Sequence, residues 1–291
     1  MGIKVNDLVM EYKKGIKSLD QVNLSINHGI YGLLGENGAG KTTLMKILVT
    51  LLRPTSGTAE INGLTVERKN YEKIKKQIGY LPQEFGLYPN LTVRESLEYV
   101  GIMSDMKREE YQRQIDRYLE ATGLSEHQKK KNRQLSGGMK RRVGLVQALL
   151  HNPSILIVDE PTTGLDPEER IRIRNLLVDF SADRTVLFST HVTEDLAATC
   201  DKLCVLKKGQ VVYDGRMNKL IEMADNHVFC RSFQNEADFQ RFQREYKITS
   251  KIYEPHSIEV RFVSEEIPTF PCNRCSPNLE DAYIYCLYVK K

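Results

Sequence analysis

The stretch Gly35-Glu36-Asn37-Gly38-Ala39-Gly40-Lys41-Thr42 constrains this chain more than any other feature. It fits the pattern G-x-x-x-x-G-K-[ST], and it stands between an apolar strand pattern, Ile30 to Leu34, and a helical one, Lys41 to Leu52. Glycines let the backbone curl until its N–H groups point inward at phosphate oxygens. The helix N-terminus adds positive dipole, Lys41 is placed to neutralise β- and γ-phosphates, and Thr42 to offer an oxygen to Mg2+. Such a loop predicts a nucleotide binder on a strand-loop-helix unit, and a GTPase or a kinase would carry it equally well.

A second motif narrows the chemistry. Ile155-Leu156-Ile157-Val158 is a short, wholly apolar run, the pattern of a buried parallel strand, and it ends in Asp159-Glu160. One carboxylate at such a strand end suits the shell of a Mg2+ ion, which is the task expected of Asp159. A second carboxylate is superfluous for holding metal. Glu160 makes sense as a base or orienter for an attacking water, so the pair points to hydrolysis rather than transfer to another molecule.

The third motif is Leu135-Ser136-Gly137-Gly138-Met139, just ahead of another helical pattern. Ser136 reads as an N-cap, and Gly137 and Gly138 leave bare N–H groups at a positive helix end. That makes a second anion site in a chain that already has one. One nucleotide cannot easily use both within a monomer. A head-to-tail dimer, each copy's second site closing over the other's nucleotide, is the economical arrangement.

The rest of the chain sets bounds. Its 291 residues can bury a sizeable core, and the longest apolar run, Ala282 to Val289, falls far short of the roughly 20 residues of a membrane-spanning helix. No signal segment opens the sequence, and Asn6 stands where a myristoylation motif wants Ser or Thr, so an intracellular protein is expected. A net charge of +4 is too small to argue for nucleic acid. Strands are expected over Val5 to Tyr12, Gln21 to Ile26, Ile78 to Leu81 and Thr185 to Phe188. Asn62-Gly63 marks a tight hairpin, and Leu203 to Leu206 with Val211 to Tyr213 a later one. Thr92 and Glu95 open one helix with a capping box, Arg108 to Ala121 reads as a second, and Gly137 to Leu150 as a third. Asp166 caps the helix that Pro167 starts. After Ala224, alternation at Ile258, Val260 and Phe262 and helical spacing at Leu279, Tyr283 and Leu287 suggest a small α+β appendage.

In that order the motifs resemble those of the ATP-binding cassette (ABC) ATPases, over about residues 3–224. The resemblance implies an α/β P-loop core: a mixed sheet with flanking helices, an antiparallel N-terminal β subdomain and a helical insert at about 91–150. Residues 225–291 lie outside it. Gly35, Asn37, Gly38, Ala39, Gly40, Lys41, Thr42 and Thr43 match the Walker A loop, and Tyr12 matches the aromatic that stacks on adenine. Gln83 matches the glutamine that touches Mg2+ and relays to a membrane partner. Ser136, Gly137 and Gly138 match the signature, and Asp159 with Glu160 the Walker B strand end. Asp166 matches the loop crossing the dimer, and His191 the switch histidine at the γ-phosphate. ATP and Mg2+ are thereby implied, with catalysis by Glu160, His191, Lys41 and Gln83. So are a homodimer (or a heterodimer with a related ATPase) in the ATP-bound state and a separate integral membrane permease at the inner face of the cell membrane. No nucleic acid is expected.

One departure is Met139, where many family members have Gln; with Gly86-Leu87-Tyr88 and Leu279-Glu280-Asp281 it resembles the drug- and lipid-exporter branch. Two rival readings stay open. One is a soluble ABC ATPase working on DNA or ribosomes, though neither a second cassette nor a long insert is present. The other is a non-hydrolysing module, which Glu160 and His191 speak against. Lys140-Arg141-Arg142 reads as a solvated helical face or as a source of positive potential near the signature. The six cysteines read as reduced thiols, and Cys272-Asn273-Arg274-Cys275 lacks convincingly spaced partners for zinc.

Overall fold

The computed structural model describes residues 2–13 and 15–289. The chain opens with β1 (Ile3–Lys13) and β2 (Ile16–Ile26), an antiparallel pair in which buried Ile3, Val5 and Leu8 meet Ile26, Leu24 and Val22 in turn. β3 (Gly29–Leu34) then runs into the glycine loop and α1 (Lys41–Leu48). That helix is shorter than its apolar spacing predicts. Thr50 has φ 67°, the N–H groups of Leu51 and Leu52 both return to the Lys46 carbonyl, and Leu51 is exposed. β4 (Ser56–Ile61) and β5 (Leu64–Thr65) are joined at Asn62-Gly63, with φ 48° and 81°, the left-handed pair that a two-residue hairpin demands. β4 pairs with β1, giving an antiparallel sheet of order β2-β1-β4-β5.

Next come α2 (Tyr71–Lys75), β6 (Ile78–Leu81) and three longer helices, α3 (Val93–Met103), α4 (Arg108–Ala121) and α5 (Gly137–Leu149). The capping box of Thr92 and Glu95 forms as the sequence predicts. α3 and α4 approach closely at Gly101, where a Cβ would lie 2.7 Å from that of Tyr111. β7 (Ile155–Asp159), α6 (Pro167–Ser181), β8 (Thr185–Thr190), α7 (Thr193–Ala197), β9 (Lys202–Lys207), β10 (Gln210–Arg216) and α8 (Met217–Glu222) follow.

These strands make a six-stranded sheet of order β10-β9-β3-β8-β7-β6, parallel except for the edge strand β10. It is covered on both faces, so successive residues of one strand serve different cores. Ile155 and Ile157 pack with Leu44 and Ile47 of α1, whereas Leu156 and Val158 pack with Val146 and Leu149 of α5. Register then fixes the site. Leu34 pairs with Thr190, Ser189 with Asp159, and Val158 with Leu81, so four strands end together. Everything that follows them is delivered to one edge, where open α/β sheets bind their ligands.

The remaining residues add β11 (Val228–Phe233), α9 (Glu236–Glu245), β12 (Lys247–Glu254), β13 (Ser257–Val263), β14 (Asn273–Arg274) and α10 (Leu279–Tyr288). The sheet β12-β13-β11-β14 has its own aromatic core around Phe229, Phe242 and Phe262. α10 packs the other way as well, against α8 and α7. The cysteine expectation fails here. Cys230 and Cys275 form a disulfide with Cα atoms 6.4 Å apart. Pairing of β14 with β11 and the Cys275 N–H bond to the Val228 carbonyl lay the two side by side.

A buried ion pair anchors α10. The Asp281 carboxylate, wholly inaccessible, accepts from Arg261 Nε (2.8 Å) and Nη2 (2.6 Å) and from Thr249 Oγ1 (2.5 Å). Removing one member of such a pair strands the other charge, at about 3 kcal/mol. Arg261→Met is therefore expected to lower the urea midpoint by that equivalent without weakening nucleotide binding. An unchanged midpoint would show that Asp281 finds another counter-charge.

Candidate functional site

The loop after β3 curls because glycines stand where side chains cannot. Gly40 has φ 110°, and a Cβ there would lie 2.5 Å from the Ser18 carbonyl oxygen. α1 begins immediately, with no side-chain cap and no acid in its first turn, so its N–H groups are free for an anion. Lys41 Nζ is buried under the loop and donates to the carbonyls of Gly35 (2.6 Å) and Glu36 (3.3 Å). Burial pulls its pKa down, and the nearby carboxylates of Glu160 and Asp159 push it back up.

β7 brings those carboxylates. Asp159 is fully buried; its Oδ2 accepts from Thr42 Oγ1 at 2.7 Å and its Oδ1 from Ser189 Oγ at 2.5 Å. Glu160 has φ 53°, unusual for a residue with a side chain, and Ser189 holds its N–H. Its Oε1 lies 3.8 Å from Lys41 Nζ, while Oε2 accepts from Thr163 Oγ1 at 2.8 Å and lies 2.7 Å from Nδ1 of the half-exposed His191. A nearly buried carboxylate thus touches a cation on one side and an imidazole on the other.

Between them lies a pocket of about 240 Å3, walled by Asn37, Gly38, Gly40 and the start of α1 on one side and by Gln83, Asp159 and Glu160 on the other. Pockets that enclose a small ligand run from about 300 to 1,000 Å3, so this one can take the phosphate end of a nucleotide and leave the rest uncovered. Gly35 and Ala39 shape the loop from beneath without lining it, Gly35 against the Leu206 carbonyl and Ala39 buried. Tyr12 stands beside the pocket; its hydroxyl is 3.3 Å from Thr43 Oγ1 and 55% of the residue is exposed.

The other predicted residues do not join this group. Ser136 caps α5 by accepting the Met139 N–H, Asp166 caps α6 by accepting the Glu169 N–H, and Gly137 faces open space. None of them, nor Gly138, lines the pocket. The sequence-predicted site residues therefore fall into two separate sets on one chain.

Three features escaped the sequence reading. Ser189 and Thr163 orient the acidic pair but look like ordinary polar residues of a strand end and a loop. Tyr288, at the end of α10, donates a hydrogen bond to the Glu36 carboxylate of the glycine loop. Arg141 and Arg142 contradict the solvated-face reading of the basic cluster, for both are buried while Lys140 alone is exposed. Arg142 donates to the Thr122 carbonyl and pairs with Glu169 at 2.5 Å. The signal was the stretch Val143 to Leu150, apolar except at Gln147: a helix buried nearly all round turns its first arginines inward too.

The sequence profile of the ABC transporter family matches residues 19–163. The bacitracin transport ATP-binding protein BcrA of Bacillus licheniformis is 37% identical over 243 residues, 81% of this chain and 76% of its own. The Nod factor export ATP-binding protein I of Burkholderia lata is 40% identical over 196 residues, 66% of this chain and 63% of its own. Among solved structures, a dimeric post-hydrolysis state of an ATP-binding cassette bound to ADP and Pi superposes with a TM-score of 0.68 at 30% identity, covering 74% of this chain and 98% of that one. Identity of this order along most of both chains, on the same fold, carries more than a shared motif could: the chain belongs to the ABC transporter family, as one of its ATP-binding and ATP-hydrolysing subunits.

Proposed function

We propose that two copies of this chain, or one copy and a related ATPase, close head to tail over two Mg-ATP molecules and drive export through a separate membrane permease. The observation that carries this is the split of the site: an open phosphate pocket on one side of the chain, and the signature residues standing outside it, Gly137 facing open space and Gly138 against the Glu169 carboxylate.

Within the pocket, the loop N–H groups and Thr43 would cradle the phosphates, with the Tyr12 ring stacking on adenine. Lys41 is already out of water, so it need only exchange the Gly35 carbonyl for a phosphate oxygen. Glu160 would take the proton of the attacking water, and His191 and Lys41 would steady negative charge on the γ-phosphoryl oxygens. The oxygens of Thr42, Asp159 and Gln83 fit a hard divalent cation, and the first two are already 2.7 Å apart. Mg2+ held there would supply charge neutralisation between the β- and γ-phosphates. Ser136, Gly137, Gly138 and Asp166 of the partner copy would complete the site.

We divide the chain into an ATP-binding unit, 1–224, with its helical part at about 91–150, and an appendage, 225–291. The permease would seat on the helical part, beside the groove of about 260 Å3 between Phe85, Val100 and Gly144, where Ile102 and Met103 expose apolar side chains. No helix among the described residues is long and apolar enough to cross a membrane; in this reading the bilayer-spanning path belongs to the partner. Export rather than uptake follows the signature's Met139 and the Nod factor export relative. The cytoplasmic face of the membrane would be its workplace.

The test is reconstitution with a multi-spanning permease, for which the product of an adjacent gene is the first choice. ATP turnover is expected to rise several-fold with the permease present, and Ile102→Asp to abolish that rise while leaving basal turnover intact. A chain that ignores the permease and binds polynucleotide would favour the soluble, nucleic-acid-directed reading.

A further inference from the structure

We propose that Arg141 is a positioning residue that ties hydrolysis at one nucleotide to what the N-terminus of α5 holds. The proposal rests on the head-to-tail reading above.

The guanidinium is buried, and all four of its terminal N–H groups go to backbone carbonyls. Nη1 donates to Pro82 (2.9 Å) and Gln83 (2.6 Å), and Nη2 to Glu160 (2.8 Å) and Asp159. Nε is left buried without a partner, and the Phe85 ring lies 5.8 Å from the guanidinium carbon. One side chain thus bridges two segments that face each other across the pocket, one carrying Gln83 and the other the acidic pair. Charge-assisted bonds of this kind are about twice as strong as neutral ones.

The second pair of acceptors is the more telling. The carbonyls of Asp159 and Glu160 flank the one non-glycine residue of the site held at a positive φ, 53°. A side-chain-bearing residue stays there only when its surroundings over-determine it. Ser189 fixes the Glu160 N–H, and Arg141 fixes the carbonyl on either side. The Glu160 side chain is therefore aimed by a residue of α5. Arg141 sits about one helical turn from Gly137 and Gly138. A shift of that rigid helix end, when it takes a partner's phosphate, would reach Gln83 and Glu160 through the guanidinium.

Lysine cannot imitate this. Its three donors radiate from one atom, whereas the fork spans two segments at once. Nor does stability alone call for the charge. No carboxylate side chain pairs with Arg141 among the described residues; burial pulls its pKa down and only the nearby field of Asp159 and Glu160 offsets that. A neutral amide donor would escape that penalty, whereas an apolar residue would take the donor from all four carbonyls.

The test uses the full chain with Arg141→Lys and Arg141→Gln. Arg141 does not line the pocket, so affinity for a non-hydrolysable ATP analogue is expected to stay within threefold of the parent. Turnover is expected to fall about ten- to a hundredfold at saturating ATP, and its sigmoidal dependence on ATP concentration to flatten to a hyperbola. If Lys restores both turnover and sigmoidicity, charge alone suffices and the proposal is overturned. It is overturned too if both variants lose analogue binding and melting temperature in parallel, since that marks a merely structural role. A parent chain with hyperbolic turnover removes the two-chain reading, and the coupling with it. Variants that match a sigmoidal parent remove Arg141 alone.

Discussion

Glu160→Gln is expected to slow ATP turnover by about two to four orders of magnitude, the usual span for loss of a general base. ATP binding should survive or tighten. Glutamine keeps the volume and can still accept from Thr163, so the strand end need not rearrange. What disappears is the charge. In the parent chain the Glu160 carboxylate stands 3.8 Å from Lys41 and offsets part of the burial penalty on that ammonium. Without it, Lys41 has only Asp159 and the loop carbonyls, and a phosphate becomes its best partner. An ATP-loaded dimer should therefore accumulate, visible as a doubled mass on size-exclusion chromatography with Mg-ATP. Two readouts keep the explanation narrow: turnover lost together with affinity means damage to the pocket, and turnover unchanged means another base.

The parts of this site that the sequence declares are those where backbone geometry and residue type are locked together. Gly40 must be glycine because of its φ and the Ser18 carbonyl, and the apolar run before Asp159-Glu160 must be a buried strand. Asn62-Gly63 names its own turn for the same reason. What stays hidden depends on distant chain. The acceptors of Arg141 lie 18 to 59 positions away, so a local charge pattern could not show that the guanidinium points inward. Cys230 and Cys275, 45 positions apart, become neighbours only through the pairing of β11 with β14. The end of α1 went wrong for a different reason. Leu51 continues the helical apolar spacing but lies on the surface, so the pattern ran past the point where the backbone had already turned.

Gly137→Asp is expected to separate folding from function most sharply. A Cβ at Gly137 would meet nothing within 4 Å, so the substitution needs no repacking. A carboxylate in the first turn of α5, which has no acid there, should add about 0.3–1 kcal/mol of stability through the helix dipole. Because Gly137 does not line the pocket, a single chain should bind ATP as the parent does. Yet the new charge fills the place where the partner's γ-phosphate would meet the bare N–H groups. Loss of such preorganised donors costs about a hundred- to a thousandfold in rate, and like-charge repulsion adds to it. The expected protein is therefore slightly more heat-stable, binds ATP normally, stays monomeric in Mg-ATP and scarcely hydrolyses it. A Gly137→Asp chain that hydrolyses ATP at the parent rate would mean that the glycines of α5 face no phosphate, and that the pocket of one chain is sufficient by itself.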